Sequence, residues 1–474
     1  MKQIFQFSAD DFMKQGVSTG KHTTEGGLFF QAYGIDPFIV PGLLQSGISA
    51  SQFANTIVNN DAMTYFLPSV SAGVGGDYVF GIGSNGTTAS IYRIDSGYGV
   101  SAMAGLTASQ ALGFESFNGN IYYSMNATIG QLTNFNNVVA DASWNSQLMG
   151  LTASAAGTEH PLHSFITDLY IGDGYRLHSY DGATKTAEAQ VFPTDYTIID
   201  IDDDGSYLVI AAIKKGRTGL TKTINKIYFW DTLSDGWNGE WEIPEGKLTG
   251  ISKSGNGNEM VAFTGQGMYA FSISNAPQLI IPGSDSAYYP VSSNDLSPFS
   301  GAIQHQGGCL TWASGGHILK YGKIFNNLKN ILTYPVTLAN IKSIYVDAYN
   351  RIIASTTDKK IYSITSTNGT GTLKTGSINL PQPTLIQKIK VYTKYVLTAG
   401  QSIQVQISNE AVGTIAIDRT FDSSTVDVTK LSWVLPCDQV VLANSINIDI
   451  VLTGGVTFKK LELYGEPRPI ESTI

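Results

Sequence analysis

Three groups of residues have the types and spacing that chemistry requires. The first is Asp200-Ile201-Asp202-Asp203-Asp204-Gly205. Carboxylates at Asp200, Asp202 and Asp204, with glycine at the sixth position, open a loop of the kind that wraps Ca2+ in hard oxygen ligands. The loop has no closing carboxylate, because Leu208 and Ala211 stand at its ninth and twelfth positions. The alternative is an acidic β-turn entering a strand from Tyr207 to Ala212. Calcium at Asp200, Asp202 and Asp204 is therefore the one cofactor the sequence offers.

The second group lies in WDTLSDGWNGEWEIPEG, where Asp231, Asp235, Glu240 and Glu242 are set among Trp230, Trp237 and Trp241. Indole rings stack on sugars and carboxylates accept from their hydroxyls, so Trp237, Trp241, Asp235 and Glu240 are candidate glycan contacts. Paired acids are also what glycoside hydrolysis needs. The S-x-D-x-G-x-x-W boxes of sialidase blades are missing, and no arginine triad stands out. The plain structural reading is a strand end and an outer loop packed by tryptophan.

The third group is His160-Pro161-Leu162-His163, with His178 further on. A zinc site needs a converging third or fourth ligand, and none is evident nearby. These histidines read as structural, bonded to loop backbone. The chain has no G-x-S-x-G elbow, no phosphate-cradling G-x-x-x-x-G-K-[ST] and no dinucleotide fingerprint. No catalytic residue is assigned, and the expectation is a protein that is not an enzyme.

Composition sets the frame for these groups. With 474 residues the chain is long enough for two or three domains. Charged residues are 14% against 42% hydrophobic, and there are 50 glycines. Few charges and many turns suit short, half-buried strands better than helices. A net charge of −9 argues against general affinity for nucleic-acid phosphates. Cys309 and Cys437 match no metal spacing and read as buried small apolar residues. No stretch approaches the roughly 18 uncharged apolar residues of a spanning helix, so membrane insertion is not expected. MKQIFQFSADDFMKQGV has acids where a secretion signal needs an apolar run, so the chain is expected to be made and kept in a cytosol.

The element that repeats is a hairpin, clearest in Asp168–Gly182, DLYIGDGYRLHSYDG. Two short strands flank a Gly-Asp-Gly turn, where glycine supplies positive φ. Variants begin at Asp77, Asn120, Asp168, Tyr207, Glu259, Gly307 and Asn350. Their spacing, about 45 residues with several strands per unit, is that of a β-propeller blade. Seven blades are the best count, with six or eight as the alternatives, because the second unit is weak and the fourth carries an insertion over Lys214–Lys226. Within the hairpin, Asp173, His178 and Asp181 are explained by turn geometry.

The fold expected is all-β, in three parts: an N-terminal arm over 1–60, a propeller over 61–376, and a β-sandwich over 377–474. Ser8, ahead of Ala9-Asp10-Asp11-Phe12, suits a short helix cap. The arm's Phe29, Phe30, Tyr33, Phe38 and Val40 are too apolar to be left free. Beyond Pro383 longer strands alternate with period two. In the first of them Leu385, Ile389, Val391, Tyr395 and Leu397 are placed on the inner face, with Lys388, Lys390, Tyr392 and Lys394 outside.

The run HPLHSFITDLYIGDGYRLHSYDG, then KIYFWDTLSDGWNGEW, then a terminal segment ending KKLELYGEP, resembles propeller-bearing structural proteins of tailed bacteriophages. The resemblance implies a non-enzymatic virion component of the tail, tail tip or collar. It implies a symmetric homo-oligomer partnered by other virion proteins, synthesised in the host cytoplasm and located in the virion. The competing expectations are a propeller that binds a host-surface glycan or receptor through Trp237 and Trp241, and, third, a glycoside hydrolase using Asp235 and Glu240.

Overall fold

Each of the seven recurring hairpins is present as the two middle strands of an antiparallel sheet. The computed structural model describes residues 2–9, 29–38, 43–46, 49–53, 62–67, 79–84, 89–95, 97, 99–106, 111–125, 127–133, 144–151, 160–214, 223–244, 246–254, 259–282, 298–323, 331–347, 350–366, 369–375, 377–380, 382–409, 414–442 and 444–468.

The first sheet runs in order through Ala62–Leu67, Val79–Ser84, Ala89–Ile94 and Val100–Leu106. The next four follow the same meander. They run from Ala111–Phe117 to Trp144–Gly150, Leu162–Phe165 to Lys185–Val191, Tyr196–Asp203 to Gly239–Ile243, and Leu248–Lys253 to Gln278–Pro282. The sixth set, Ile303–Gln306 to Ile331–Thr337, is one end of a ten-stranded sheet. The seventh takes Ile341–Val346, Ile352–Thr356 and Ile361–Ser366, and receives its fourth strand, Ser49–Gln52, from the N-terminal region.

The hydrophobic clusters show how these sheets stack. Phe80 and Ile91 of the first sheet pack on Phe114 and Tyr123 of the second. Tyr122 and Ile129 of the second pack on Leu169 and Ile171 of the third. The series continues sheet by sheet. It closes where Tyr345 and Ile353 of the seventh meet Met63 and Tyr92 of the first. The layout is propeller-like. Aromatics fill the spaces between sheets, as the sequence led us to expect: Trp312 is fully buried, its ring centroid 5.2 Å from that of Phe263. Removing a buried ring of this kind costs about 3–5 kcal/mol.

The C-terminal part is built on two sheets around one core. Ile35–Asp36, Leu44–Ser46, Thr457–Pro467, Thr384–Thr393 and Ser432–Leu442 form one, with Lys2–Ser8 paired to Thr457–Pro467. The other is the far end of the ten-stranded sheet: Thr370–Thr375, Ser445–Thr453, Ser402–Asn409 and Ile415–Asp422. Alternation is strict in Ser445–Thr453, where every second residue is buried. The core joins Phe7, Ile35 and Leu44 to Ile389, Val405, Ile450 and Phe458.

The inner face expected for the first strand of this part needs one correction. Leu385, Ile389, Val391 and Leu397 are buried, but Tyr395 is 58% exposed. The strand ends at Thr393, which is itself buried, and a bulge between Ile386 and Lys388 also buries Ile386. The bulge changes the phase of the alternation. Lys390 and Lys460 stand over the Tyr392 ring on the opposite face.

The N-terminal region is woven into the body. Phe29–Tyr33 pairs with Thr370–Thr375 and touches Ile331–Thr337 in parallel, so it bridges the sixth set to the C-terminal sheets. Ser8 ends the strand Lys2–Ser8, and the helix expected after it lies, apart from Ala9, outside the described residues. Val40 and most of the insertion within Lys214–Lys226 also lie outside them.

Candidate functional site: the axial cavity

The first strand of each sheet lies beside the first strand or leading turn of the next, and these strands surround a cavity of about 410 Å3. Every sheet contributes to its wall, from Tyr65 through Glu115, His163, Asp202, Lys253 and Gln304 to Tyr345. In five sheets the first strand is bulged against the second: at Met63/Tyr65, Ala111/Gly113, Ile198/Asp200, Leu248/Gly250 and Ile341/Ser343. A bulge bends the strand and re-aims its side chains. These bulges lie in or beside the strand segments that line the cavity.

The charged part of the wall comes from four consecutive sheets. His163 Nε2 is 3.0 Å from Asp203 Oδ2 and 3.9 Å from Asp202 Oδ1. Lys253 Nζ pairs with the other oxygen of Asp203, which also accepts from the Gly205 N–H at 2.7 Å. Asp202 Oδ2 accepts from the Lys253 N–H at 3.2 Å, linking the fourth sheet to the fifth. Glu115 accepts from the Ser116 N–H at 2.8 Å. His305 Nε2 lies 2.7 Å from the Lys253 carbonyl.

These contacts set the protonation states. Burial works against ionised Asp203, but the bonds from His163 and Lys253 outweigh it and hold its carboxyl at about 2. Burial likewise opposes the His163 imidazolium, and Asp203, Asp202 and Glu115 together raise it above the ordinary histidine range. Burial raises Glu115, with His163 opposing. The cavity is thus an anionic wall that also carries the His163 and His305 imidazoles and the Lys253 ammonium. Among the described residues, His163, Asp202 and Asp203 are the group whose donor atoms converge as metal ligands do.

The residues singled out in the sequence fall differently. Of Asp200, Asp202 and Asp204, only Asp202 belongs to that group. Asp200 is buried and accepts from the Ile251 and Ile201 N–H groups at 2.9 and 3.1 Å. Asp204 Oδ1 accepts from the Ser206 and Tyr207 N–H groups, closing its own turn. The run therefore behaves as a strand end and acidic turn that also presents Asp202 and Asp203 to the cavity.

The tryptophan loop is largely occupied by its own packing. The Trp237 ring lies 4.7 Å from Phe192 and 4.8 Å from Tyr228, centroid to centroid. Trp241 donates its Nε1–H to the Ser272 carbonyl at 2.9 Å and packs in the layer between the fourth and fifth sheets. Trp237 belongs to the layer on the other side, so the two rings do not share a face. Glu240 pairs with Lys226 at 2.9 Å, and Asp235 stands exposed with its carbonyl accepting from Gln190. Asp231 caps the loop through the Leu233 and Ser234 N–H groups, which hold its carboxyl far below the usual range.

His160 and His178 flank buried Asp173. His178 Nδ1 accepts from the Glu188 N–H at 3.0 Å, which leaves Nε2–H to donate to Asp173 Oδ2 at 3.2 Å. His160 Nδ1 lies 3.1 Å from the Gly172 carbonyl. Asp181 caps its turn through Ala183 and Thr184. Sequence reasoning missed Glu115 and Lys253, and treated His163 as a loop residue. The available signal was a polar residue on the first strand of consecutive units, but the hairpins used for alignment are the second and third strands.

No family model matches the chain, and no curated protein matches it in sequence. Among solved structures it is similar to the WD40 β-propeller domain of Doa1, at 9% identity and a TM-score of 0.47, over 67% of this chain and 97% of that one. It is also similar to a streptogramin B lyase, at 11% identity and a TM-score of 0.43, over 66% of this chain and 96% of that one.

Proposed function

We propose that the chain is a non-enzymatic structural component of a bacteriophage virion, placed in the tail, tail tip or collar. In this reading it is a seven-bladed propeller followed by a C-terminal β-sandwich, and it assembles as a symmetric homo-oligomer with other virion proteins. The observation that supports it most is the weaving of the N-terminal region. Ser49–Gln52 completes the last sheet of the propeller series, Phe29–Tyr33 joins the sixth set to the C-terminal sheets, and Lys2–Ser8 adds an edge to the terminal sheet. An N-terminal region paired to both the propeller-like series and the C-terminal sheets ties the two together, which suits a particle component.

Two further observations agree. Tyr395, Val396 and Leu431 are exposed together beside the Thr393 N–H to Leu431 carbonyl bond, an apolar spot suited to a neighbouring subunit. Low charge density leaves a polar surface that interfaces can cover without stranding ions. Glycan binding through the tryptophan loop has weaker support, because the two rings pack in separate layers. Light scattering on the purified chain tests the assembly: a discrete oligomer at micromolar concentration is expected, and a strict monomer at high concentration counts against the proposal.

A further inference from the structure

We propose that the axial cavity binds one divalent metal ion of the zinc type, held by His163 Nε2, Asp202 Oδ1 and Asp203 Oδ2. The proposal is independent of the virion reading.

Geometry comes first. Zinc takes imidazole nitrogen and carboxylate oxygen at about 2.0–2.2 Å, so two tetrahedral ligands lie about 3.3 Å apart. The observed separations from His163 Nε2, 3.0 Å to Asp203 and 3.9 Å to Asp202, bracket that value. The three donor atoms lie within 4.8 Å of one another, so small side-chain shifts suffice.

The supports are fixed independently of a ligand. The second oxygen of Asp203 is held by Gly205 and Lys253, and the second oxygen of Asp202 by the Lys253 N–H. Asp203 thus offers the ion Oδ2, the oxygen that faces His163, while Asp202 Oδ1 also accepts the Asp203 N–H at 2.8 Å and offers the ion its remaining lone pair, as carboxylates oriented by supporting hydrogen bonds do in metal sites. Space is also present, since the three residues line the 410 Å3 cavity, which leaves a fourth coordination position to water.

Charge points the same way. Glu115, Asp202 and Asp203 face the site with Lys253 as the one permanent cation among them. A divalent cation offsets that excess. A mixed nitrogen and oxygen donor set favours zinc-type ions over Ca2+ or Mg2+, which take oxygen ligands. The ion would join the third sheet to its neighbour, the fourth, at the cavity wall.

The test uses the full chain, stripped with chelator and titrated calorimetrically with Zn2+, with Co2+ absorption as a second readout. One ion per chain is expected, with affinity lowered at least tenfold in His163→Gln and in Asp203→Asn. Asp204→Asn, whose carboxylate only caps its turn, should bind as the parent does. Should His163→Gln or Asp203→Asn misfold by circular dichroism, Asp202→Asn decides, because it leaves the His163–Asp203 bond in place. Absence of heat and of Co2+ bands, or binding that survives the folded variants, overturns the proposal.

Discussion

Lys320 and Asp36 form an ion pair that is almost wholly excluded from water, and it joins two parts of the chain that are remote in sequence. Lys320 stands on His317–Gly322 of the sixth set, and Asp36 on Ile35–Asp36 of the terminal sheet. Asp36 also accepts from the Phe38 N–H at 2.9 Å. Breaking such a pair strands a buried charge, at a cost of about 3–5 kcal/mol. Asp36→Leu and Lys320→Met should each lower the urea midpoint strongly, and the double variant should be more stable than the Asp36→Leu single. Additive losses in the double-mutant cycle would show that the pair is not coupled.

A second seam lies at Gly34. Its φ is +62°, and a Cβ there would meet the Thr370 carbonyl at 2.3 Å. Gly371 approaches as closely from the other side, where a Cβ would lie 2.5 Å from the Gly34 carbonyl. Gly34→Ala should therefore destabilise by about 2 kcal/mol or more, through both backbone strain and contact. Thermal unfolding would register it as a lower Tm. An unchanged Tm would mean that this segment is not held against Thr370 in solution.

Both cysteines are buried thiols outside any disulfide, and burial pushes the Cys309 thiol up to about 12. Thiolate is the reactive form, so the native chain should react negligibly with Ellman's reagent at pH 8. Denatured chain should release two equivalents. Rapid labelling of native protein would contradict the burial of both.

Glu462 supplies a pH dependence in the C-terminal sheets. Burial works against its charge, yet Lys460 and the Tyr464 and Tyr392 hydroxyls, at 2.8 and 2.9 Å, outweigh it and lower its pKa. A depressed folded pKa means stability that is present above the unfolded value, near 4.3, and lost as pH falls through the folded one. Glu462→Gln should cost about 1–3 kcal/mol at pH 7, with the difference from the parent shrinking below about pH 4. Denaturant midpoints at pH 7 and pH 3.5 measure this; a difference that grows on acidification would reverse the sign.

The hairpins were legible because turn glycines and alternating apolar residues are local signals, and all seven lie where the sequence put them. The site was not. Glu115, His163, Asp203 and Lys253 sit on first strands of four consecutive sheets, and only the stacking of those sheets brings them together. The Asp200–Gly205 run was visible as chemistry, but a bulge at Ile198/Asp200 and the turn at Asp204 divide its carboxylates. Tyr395 failed for a related reason: alternation was carried past the end of its strand. That Ser49–Gln52 closes the seventh sheet could not be read from a segment of small polar residues.

The central claim is that this chain is built into a particle. Quantitative mass spectrometry of virions purified from the source that carries the coding sequence tests that most directly. The account predicts the chain in the particles at a fixed copy number that matches a symmetric ring, retained through density-gradient purification. Its absence from intact particles, with the chain left as free monomer in the lysate, would contradict the account.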